Sequence, residues 1–514
     1  MNKKSVAGIA LAISLFAALN ATAQNGQPQK PNVIVIYADD LGWNQLSAYG
    51  NKKITTPNLD ALAAQGTRFT QAYATAPICS PSRMGLLTGR YQQRFGAEFL
   101  VPEEKATALN DPELKAKIAS DAVARAVRAE AADTNGYKSI PKGIPLTETL
   151  IGQYFHDAGY ATAAIGKWHA GEAVGLRPWE RGFDYYYGTL TWGTIYAGVS
   201  DPGILTKSYY FHTNLARTNE RSASINIVRG KKGGSGEVVD EKGYLTDRIG
   251  EEAIDFIDQH KKEPFFLYLP FTAVHDPFQA KQADFERVRG VADTTERIYL
   301  AMLLSLDDAV GRILNKLKEE GLDKNTLVVF GSDNGGASYT GQMKNTPLRA
   351  GKLSDFEGGI RVPLIFRLPG QIPAGKVYEL PVSNLDIFGT AVALAGISLP
   401  KDKAFDGVDL RPYLNGHNSG RPHETLFWRN GYSKAVRKGD WKLYINERSG
   451  KSLLFNIADD LSETNDLSTG QASRVAELKK ALAEWEKQLQ APRWPALRSE
   501  RIPEVAALDF YFPI

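Results

Sequence analysis

Short apolar runs that end in polar residues recur along this chain. Four of them are apolar at nearly every position: residues 32–37, 161–165, 264–270 and 326–330. Stretches with helical periodicity lie between them, at residues 146–158 and 296–320. Runs without polar alternation are typical of strands buried on both faces of a parallel sheet. We therefore predict an α/β fold, in which helices sandwich a large, mostly parallel or mixed β-sheet.

The pattern changes after about residue 402. Short strand candidates separated by glycine-containing turns follow, at residues 426–429, 434–437, 441–446 and 453–457. An amphipathic helix is predicted over residues 472–489. The chain should therefore contain a catalytic domain over residues 24–401 and a smaller α+β subdomain over residues 402–514, built from an antiparallel sheet and a covering helix.

Two segments resemble insertions. Residues 103–133 are rich in alanine and charge, and four apolar residues fall on one helical face, which favours a solvated helix on the rim: Leu114, Ile118, Val123 and Val127. Residues 192–242 carry aromatic and imidazole side chains that either form a substrate wall or pack locally: Trp192, Tyr196, Tyr209, Tyr210 and His212. Residues 233–236 (Gly-Gly-Ser-Gly) are predicted to be a flexible loop tip, because a phosphate-binding glycine motif needs a flanking strand and helix.

The N-terminus has the features of a secretory signal peptide over residues 1–23. Lys3 and Lys4 precede an apolar stretch at residues 6–18, and Ala21-Thr22-Ala23 fits a cleavage site. The apolar stretch is short for a membrane span, so no stable membrane association is expected. We predict export to the bacterial periplasm or beyond. The net charge of +3 over 514 residues gives no case for nucleic-acid binding.

The only cysteine in the chain is Cys79. In an oxidising compartment, a lone cysteine is a buried inert residue, a reactive thiol, half of an intermolecular disulfide, or a residue modified in the mature protein. Buried cysteine is the common case. The following residues, Ser80 to Arg83, predict a polar turn rather than a core strand, which argues against that case.

Paired polar residues follow two of the predicted strands. Asp39 and Asp40 come after the first, and Asp333 and Asn334 come after the last. Strand ends at one edge of an α/β sheet meet at its ligand site. Neighbouring buried carboxylates are costly unless a cation or strong donors neutralise them. Each pair alone is more often a turn or helix cap, but together they favour a hard cation, calcium first and magnesium second.

Three further blocks carry basic or imidazole groups. Lys167 and His169 stand on alternate positions after the second strand, so both side chains face the same way in an extended segment. His275 follows the third strand, and Lys352 precedes the run Glu-Gly-Gly-x-Arg at residues 357–361. Taken singly, either histidine is more often a hydrogen-bonded structural residue.

These blocks together resemble the formylglycine-dependent sulfatases of the alkaline phosphatase superfamily. The run from Cys79 to Arg90 matches Cys-x-Pro-Ser-Arg followed by x-x-Leu-x-Thr-Gly-Arg, and residues 166–169 match Gly-Lys-x-His. The paired acids, His275, the Lys352 block and residues 454–467 are similar to the family's remaining signatures. The resemblance implies an alkaline-phosphatase-like fold and conversion of Cys79 to Cα-formylglycine by a formylglycine-generating maturase. It also implies a calcium ion bound by five residues: Asp39, Asp40, modified Cys79, Asp333 and Asn334.

The resemblance further implies residue roles. Asp333 would act as base at the attacking hydroxyl, while Arg83 and Lys167 hold the hydrated aldehyde. His169 would assist collapse of the sulfated intermediate, and His275 with Lys352 would grip the sulfate and protonate the leaving oxygen.

The expected function is hydrolysis of a sulfate ester. The expected substrate is a sulfated carbohydrate from algal polysaccharide, glycosaminoglycan or mucin glycan, although other sulfate esters fit the motifs. Two alternatives stay open at this point. One is a phosphate or phosphonate ester hydrolase of the same superfamily, and the other is an inactive exported glycan-binding protein.

Overall fold

A computed structural model of the protein describes residues 30–101, 128–131, 141–198, 201–207 and 226–514. Several predicted features lie outside these residues: the signal peptide at residues 1–23, Leu114, Ile118, Val123, Val127, Tyr209, Tyr210 and His212.

The strands are, in chain order, β1 (Asn32–Ala38), β2 (Thr67–Tyr73), β3 (Arg128–Ala131), β4 (Ala161–Ile165), β5 (Tyr185–Thr189), β6 (Ile204–Lys207), β7 (Ile227–Lys231), β8 (Glu237–Val239), β9 (Phe265–Pro270), β10 (Phe278–Lys281), β11 (Thr326–Ser332), β12 (Arg361–Arg367), β13 (Lys376–Tyr378), β14 (Val382–Ser383), β15 (Thr425–Asn430), β16 (Ser433–Lys438), β17 (Trp441–Asn446), β18 (Lys451–Asn456), β19 (Arg498–Arg501) and β20 (Tyr511–Pro513). The α-helices are α1 (Pro57–Ala64), α2 (Cys79–Thr88), α3 (Ile151–Asp157), α4 (Leu245–His260), α5 (Gln282–Glu286), α6 (Thr294–Glu319), α7 (Glu357–Ile360), α8 (Leu385–Leu394), α9 (Arg411–Leu414) and α10 (Ala472–Glu486).

The four apolar runs form four adjacent strands at the middle of an eleven-stranded sheet. Its order is β13-β2-β12-β11-β1-β9-β4-β5-β7-β8, with β14 beside β2. Strands β11, β1, β9, β4 and β5 run parallel, and β12, β7 and β8 are antiparallel to their neighbours. Val33 of β1, for example, pairs with Leu327 on one side and Phe266 on the other. The predicted mostly parallel or mixed sheet is confirmed.

Helices cover both faces of this sheet, which explains why its central strands are apolar throughout. Every residue of β1 is buried. Ile34 and Ile36 pack in the cluster that contains α1, α4 and α6. Val33 and Val35 pack in the opposite cluster, with α2, α3 and α8. Among the residues described, no helix combines the length and apolar composition needed to cross a membrane.

The C-terminal region forms the predicted small sheet. Strands β15 to β18 are antiparallel neighbours in chain order. One face, which includes Val436 and Leu443, packs on Leu478 and Leu482 of α10. The opposite face packs toward Phe356, which lies between β11 and α7. The boundary predicted near residue 402 lies in the connection between α8 and α9.

The two predicted insertions differ in part from expectation. Residues 128–131 form strand β3 rather than the predicted helix, because their backbone pairs with β19. Tyr196 is buried, and its hydroxyl donates to the carbonyl oxygens of Thr272 (2.7 Å) and His275 (2.9 Å). Tyr196 is therefore a packing residue rather than part of a substrate wall. Residues 233–236 form the exposed turn between β7 and β8.

The helix predicted from residue 146 begins only at Ile151. Residues 146–150 form a turn, in which the carbonyl oxygen of Glu148 accepts a hydrogen bond of 2.6 Å from Arg181. The Arg181 side chain thus donates to the Glu148 carbonyl, which in a longer helix would accept from a backbone amide.

An ion pair between His423, which precedes β15, and Asp386 of α8 predicts a pH-dependent stability. Nε2 of His423 lies 2.8 Å from Oδ1 of Asp386 in α8. Burial opposes the charged imidazole, but the Asp386 carboxylate outweighs it and raises the pKa of His423 above its ordinary value. Because the folded state favours the protonated form, this stability is fully present below the unfolded-state pKa and is lost as pH rises through the folded-state pKa.

We expect His423→Gln to lower the free energy of unfolding in acid by about 1.5–3 kcal/mol, as for hydrogen bonds to charged groups. Urea titrations of wild type and His423→Gln at about pH 5.5 and about pH 9 measure the difference in their free energies of unfolding. This difference should be smaller at the higher pH. An equal deficit at both pH values would contradict the assignment.

Candidate active site

The carboxyl ends of β1, β4, β9 and β11 deliver most of the predicted site residues to one edge of the sheet. Ten predicted residues are all buried and lie at or beside this edge: Asp39, Asp40, Cys79, Arg83, Lys167, His169, His275, Asp333, Asn334 and Lys352. Parallel neighbours bring residues from distant parts of the chain together because their carboxyl ends coincide. The polar groups that follow four separate runs therefore form one cluster.

Cys79 is the first residue of α2 and is only 2% exposed. Its Sγ lies 3.7 Å from Oδ1 of Asp40. The predicted polar turn at residues 80–83 is instead the buried first turn of α2. Two of these polar side chains have partners in the buried turn: Ser80 Oγ accepts from the Val101 amide, and the Arg83 guanidinium donates to the Asp333 carboxylate. Burial raises the pKa of the Cys79 thiol far above its ordinary value, although Lys167 and Lys352 oppose this.

The two acidic pairs interlock at the centre of the site. Asp40 has a left-handed backbone with φ of 59°, and its amide donates to Oδ1 of Asp333 over 3.0 Å. The side-chain amide of Asn334 donates to Oδ1 of Asp40 over 2.8 Å. The turns after β1 and β11 are thus joined by their own side chains, and the acidic groups converge on one point.

Three cations surround these acids. Arg83 donates to Oδ2 of Asp333 through Nε (2.9 Å) and Nη2 (2.7 Å), and its Nη2 lies 3.3 Å from Oδ1 of Asp39. Lys167 Nζ lies 2.7 Å from Oδ2 of Asp39. Lys352 Nζ lies 2.8 Å from Oδ2 of Asp40. The buried carboxylates are therefore each paired with a cation, as burial of charge requires.

The same contacts set the proton affinities of the acids. Burial alone would raise the pKa of Asp39, but Lys167, His275 and Arg83 lower it to about 2. Burial raises the pKa of Asp333, and Arg83 offsets this effect only in part. Asp39 is thus held as a carboxylate, whereas Asp333 has the higher proton affinity of the two.

The carboxylate and amide oxygens of Asp39, Asp40 and Asn334 fit a hard cation. Ligand atoms of Asp39, Asp40, Cys79 and His275 all lie within 4.8 Å of one another. Oδ1 of Asp39 and Oδ1 of Asn334 are buried and have no hydrogen-bond partner among the described residues. Buried oxygens without a hydrogen bond are costly, although Arg83 Nη2 offers Oδ1 of Asp39 an ionic contact, and a calcium or magnesium ion would satisfy both oxygens. Both oxygens of Asp333 already accept hydrogen bonds, from amides and from Arg83.

His169 lies in a buried, positively charged environment. It has a left-handed φ of 52°, and neither ring nitrogen has a hydrogen-bond partner among the described residues. Burial, followed by the positive charges of Lys167 and Arg83, holds the pKa of His169 well below its ordinary value. The ring is therefore neutral at neutral pH.

His275 and Lys352 are in direct contact in the site. Nδ1 of His275 lies 2.5 Å from the carbonyl oxygen of Asp276, and Nε2 lies 3.2 Å from Nζ of Lys352. Burial and Lys352 lower the pKa of His275, while Asp40 opposes this. Tyr196 holds the His275 carbonyl, as described above. Sequence reasoning missed this supporting role, because no motif connects a tyrosine to a histidine about eighty residues away in an unrelated segment.

The chain is similar to known sulfatases in both sequence and fold. The sulfatase family model matches residues 31–397. N-acetylgalactosamine-6-sulfatase of Rattus norvegicus is 34% identical over 443 residues, which cover 85% of this chain and 75% of that protein. Among solved structures, the crystal structure of Ps i-CgsB in complex with k-i-k-neocarrahexaose superimposes on this chain with a TM-score of 0.75. The two sequences are 33% identical, and the match covers 91% of this chain and 95% of the Ps i-CgsB chain.

A phosphonate monoester hydrolase of Agrobacterium radiobacter shares the fold, with a TM-score of 0.60 and 21% identity, covering 89% of this chain and 96% of that chain. The fold, the site and the sequence matches define one class of protein: the chain belongs to the sulfatase family. It is a sulfuric ester hydrolase, as the resemblance implied.

Proposed function

We propose that the protein hydrolyses the sulfate esters of carbohydrates through a formylglycine made from Cys79, with a calcium ion in the site. The observation that carries this proposal is the placement of the only cysteine. Cys79 is the first residue of a buried helix, and its Sγ lies 3.7 Å from Oδ1 of Asp40. A thiol with a strongly raised pKa is a poor nucleophile. Conversion of this residue to a hydrated aldehyde removes that difficulty, since a hydroxyl then becomes the attacking group.

Calcium is the proposed metal, with magnesium as the second choice. Asp39, Asp40, Asp333 and Asn334 would hold it, together with modified Cys79. When bound, the ion would offset the negative charge of the sulfate and polarise the attacking oxygen. The oxygens of Asp39 and Asn334 that lack hydrogen-bond partners support this assignment.

The proposed residue roles follow from charge and position. Asp333 would take the proton of the attacking hydroxyl, and Arg83 with Lys167 would orient that group. Neutral His169 would take a proton when the sulfated intermediate collapses. His275 and Lys352, 3.2 Å apart, would bind the sulfate and protonate the departing oxygen.

A sulfated carbohydrate is the proposed substrate. The rat relative is named for a sulfated amino sugar, and the Ps i-CgsB structure contains an oligosaccharide. Algal polysaccharides, glycosaminoglycans and mucin glycans are the candidate sources. Export through the signal at residues 1–23 would bring the enzyme to such polymers.

Mass spectrometry of the protein co-expressed with a formylglycine-generating maturase tests the nucleophile. The Cys79 peptide should carry an aldehyde in place of the thiol, and the mature chain should begin at Gln24. The same preparation should release sulfate from sulfated oligosaccharides. A persistent thiol, under conditions that convert a control sulfatase, would refute the formylglycine mechanism and favour a glycan-binding protein.

A phosphate or phosphonate ester hydrolase is the second candidate, favoured by the fold shared with the Agrobacterium enzyme. Turnover of matched aryl sulfate and aryl phosphate esters separates the two. Preference for phosphate would overturn the sulfatase proposal for this chain.

The acid role of His275 predicts a dependence on the leaving group. We expect His275→Ala to lower kcat about 100- to 10,000-fold on an alkyl or sugar sulfate, as for loss of a general acid. The loss should be much smaller on nitrophenyl sulfate, because that leaving group departs without a proton. Steady-state kinetics on both substrates measure this difference. Equal losses on the two esters would show that His275 does not protonate the leaving oxygen.

A further inference from the structure

The C-terminal sheet packs directly on the loop that carries Lys352. We call residues 349–360 the Lys352 loop. Tyr444 of β17 stacks on Phe356 of this loop, with ring centroids 4.6 Å apart. Phe455 of β18 also contacts Phe356, with centroids 6.4 Å apart. The small sheet therefore supports one wall of the active site.

A buried ion cluster lies beside this aromatic contact. Lys442 of β17 lies 3.0 Å from Oε1 of Glu357 in the loop and 2.9 Å from Oε1 of Glu463. All three side chains are fully buried. Oε2 of Glu463 accepts a hydrogen bond of 2.6 Å from the backbone amide of Glu357, the first residue of α7. The Glu463 carbonyl oxygen also accepts from the Arg349 side chain. Glu463 thus binds the Lys352 loop near both of its ends.

The loop in turn binds the catalytic strands through its backbone. The amide of Lys352 donates to the Gly336 carbonyl over 3.0 Å, and the amide of Gly335 donates to the Gly359 carbonyl over 2.9 Å. The amide of Leu353 donates to the Pro77 carbonyl over 2.7 Å. These bonds join the loop to the turn after Asn334 and to the segment before Cys79.

The loop has little room to adopt another conformation. A Cβ on Gly358 would lie 2.3 Å from the Ala350 carbonyl oxygen, and a Cβ on Gly359 would lie 2.0 Å from that of Ser354. A displacement of α7 must therefore move the neighbouring backbone, which includes Lys352, rather than be absorbed locally.

We propose that Glu463 is a positioning residue for Lys352: it fixes the Lys352 loop, and through the loop it sets the place of the Lys352 ammonium against Asp40. This inference rests on the proposed role of Lys352 in sulfate ester cleavage. It gives the C-terminal subdomain a part in the reaction beyond stability, because a misplacement of about 1 Å costs about 100-fold in rate.

Glu463→Ala tests the proposal against two companions. Glu463→Gln gives up the ion pair with Lys442, which Glu357 still neutralises, but keeps an oxygen that accepts from the Glu357 amide, so it should retain most of the activity. Leu482→Ala removes a buried side chain of α10 that contacts β16 and β17 rather than the loop, so it should lower the melting temperature with kcat unchanged. We expect Glu463→Ala to lower kcat about 10- to 100-fold at temperatures where it is fully folded.

A double-variant cycle separates positioning from a general loss of stability. If Glu463 acts through Lys352, then Glu463→Ala should have little further effect on kcat in a Lys352→Ala background. Fully additive losses, or an equal loss of kcat in Leu482→Ala, would overturn the proposal while leaving the sulfatase function intact.

Hydrogen exchange tests the effect of Glu463 on the Lys352 loop without an activity assay. Peptides that cover residues 349–360 should exchange at least about 10-fold faster in Glu463→Ala than in wild type, and at the wild-type rate in Leu482→Ala and Glu463→Gln. Unchanged exchange in Glu463→Ala would refute the positioning role, whatever the enzyme proves to hydrolyse. Absence of sulfate release by wild type would instead count against the proposed function.

Discussion

Cys79→Ser, produced beside the maturase, is expected to lower kcat for sulfate release by at least about 10,000-fold. A serine hydroxyl has one proton and one oxygen, so after attack on sulfur it holds the sulfate as a stable ester. The hydrated aldehyde has a second hydroxyl, and its deprotonation expels the sulfate. Steady-state assays on an aryl sulfate measure the loss, and mass spectrometry should find one sulfate on the peptide that carries the substitution after a single turnover.

The fold should survive this change. Serine is close in size to cysteine, and its hydroxyl can donate to Oδ1 of Asp40, which lies 3.7 Å from the native Sγ. The melting temperature of Cys79→Ser should therefore stay near that of unmodified wild type. Multiple turnovers by the folded serine variant would refute the proposed nucleophile.

Arg83→Met is expected to lower the free energy of unfolding by about 3–5 kcal/mol and to abolish measurable turnover. Arg83 is fully buried and compensates Asp333 and Asp39. Methionine fills much of the same volume but leaves these carboxylates without their guanidinium partner. Urea denaturation of the metal-free proteins in EDTA measures the stability loss, and sulfate release with added calcium measures the activity.

The double variant Arg83→Met with Asp333→Asn is the matched control. Neutralising Asp333 removes most of the uncompensated charge, so stability should return toward that of wild type while activity stays absent. If the double variant is as unstable as Arg83→Met, the loss arises from packing rather than charge. A stable and active Arg83→Met protein would contradict the assigned role.

The order of elements was accessible from the sequence because it depends on local patterns. Runs such as residues 32–37 lack polar alternation, and only a strand covered on both faces buries every side chain of such a run. The short strand candidates after residue 402, separated by glycine-containing turns, likewise predicted the small antiparallel sheet. The sequence pattern predicted helix ends less accurately than strands. Helix α3 begins five residues later than predicted, because the Glu148 carbonyl accepts a hydrogen bond from Arg181.

The site residues were accessible for a different reason. Asp39, Lys167, His275 and Asp333 each follow a predicted parallel strand, and parallel strands end at one edge. Topology therefore brings them together without any knowledge of side-chain geometry. Cys79 was identified because it is the only cysteine and because its motif resembles that of the sulfatases. The polar residues after it predicted a turn outside the core, but they form the buried first turn of α2.

The sequence by itself determined the family, the large mixed sheet and the small C-terminal antiparallel sheet, and it placed candidate site residues after the central strands. Each of these depends on local periodicity or on contiguous motifs. Only the tertiary structure decided which cation pairs with which carboxylate, that Tyr196 holds His275, and that Glu463 binds the Lys352 loop. These contacts join residues up to hundreds of positions apart, such as Asp40 and Lys352. No local sequence pattern predicts these contacts, because the residues come together and become buried only when the whole chain folds.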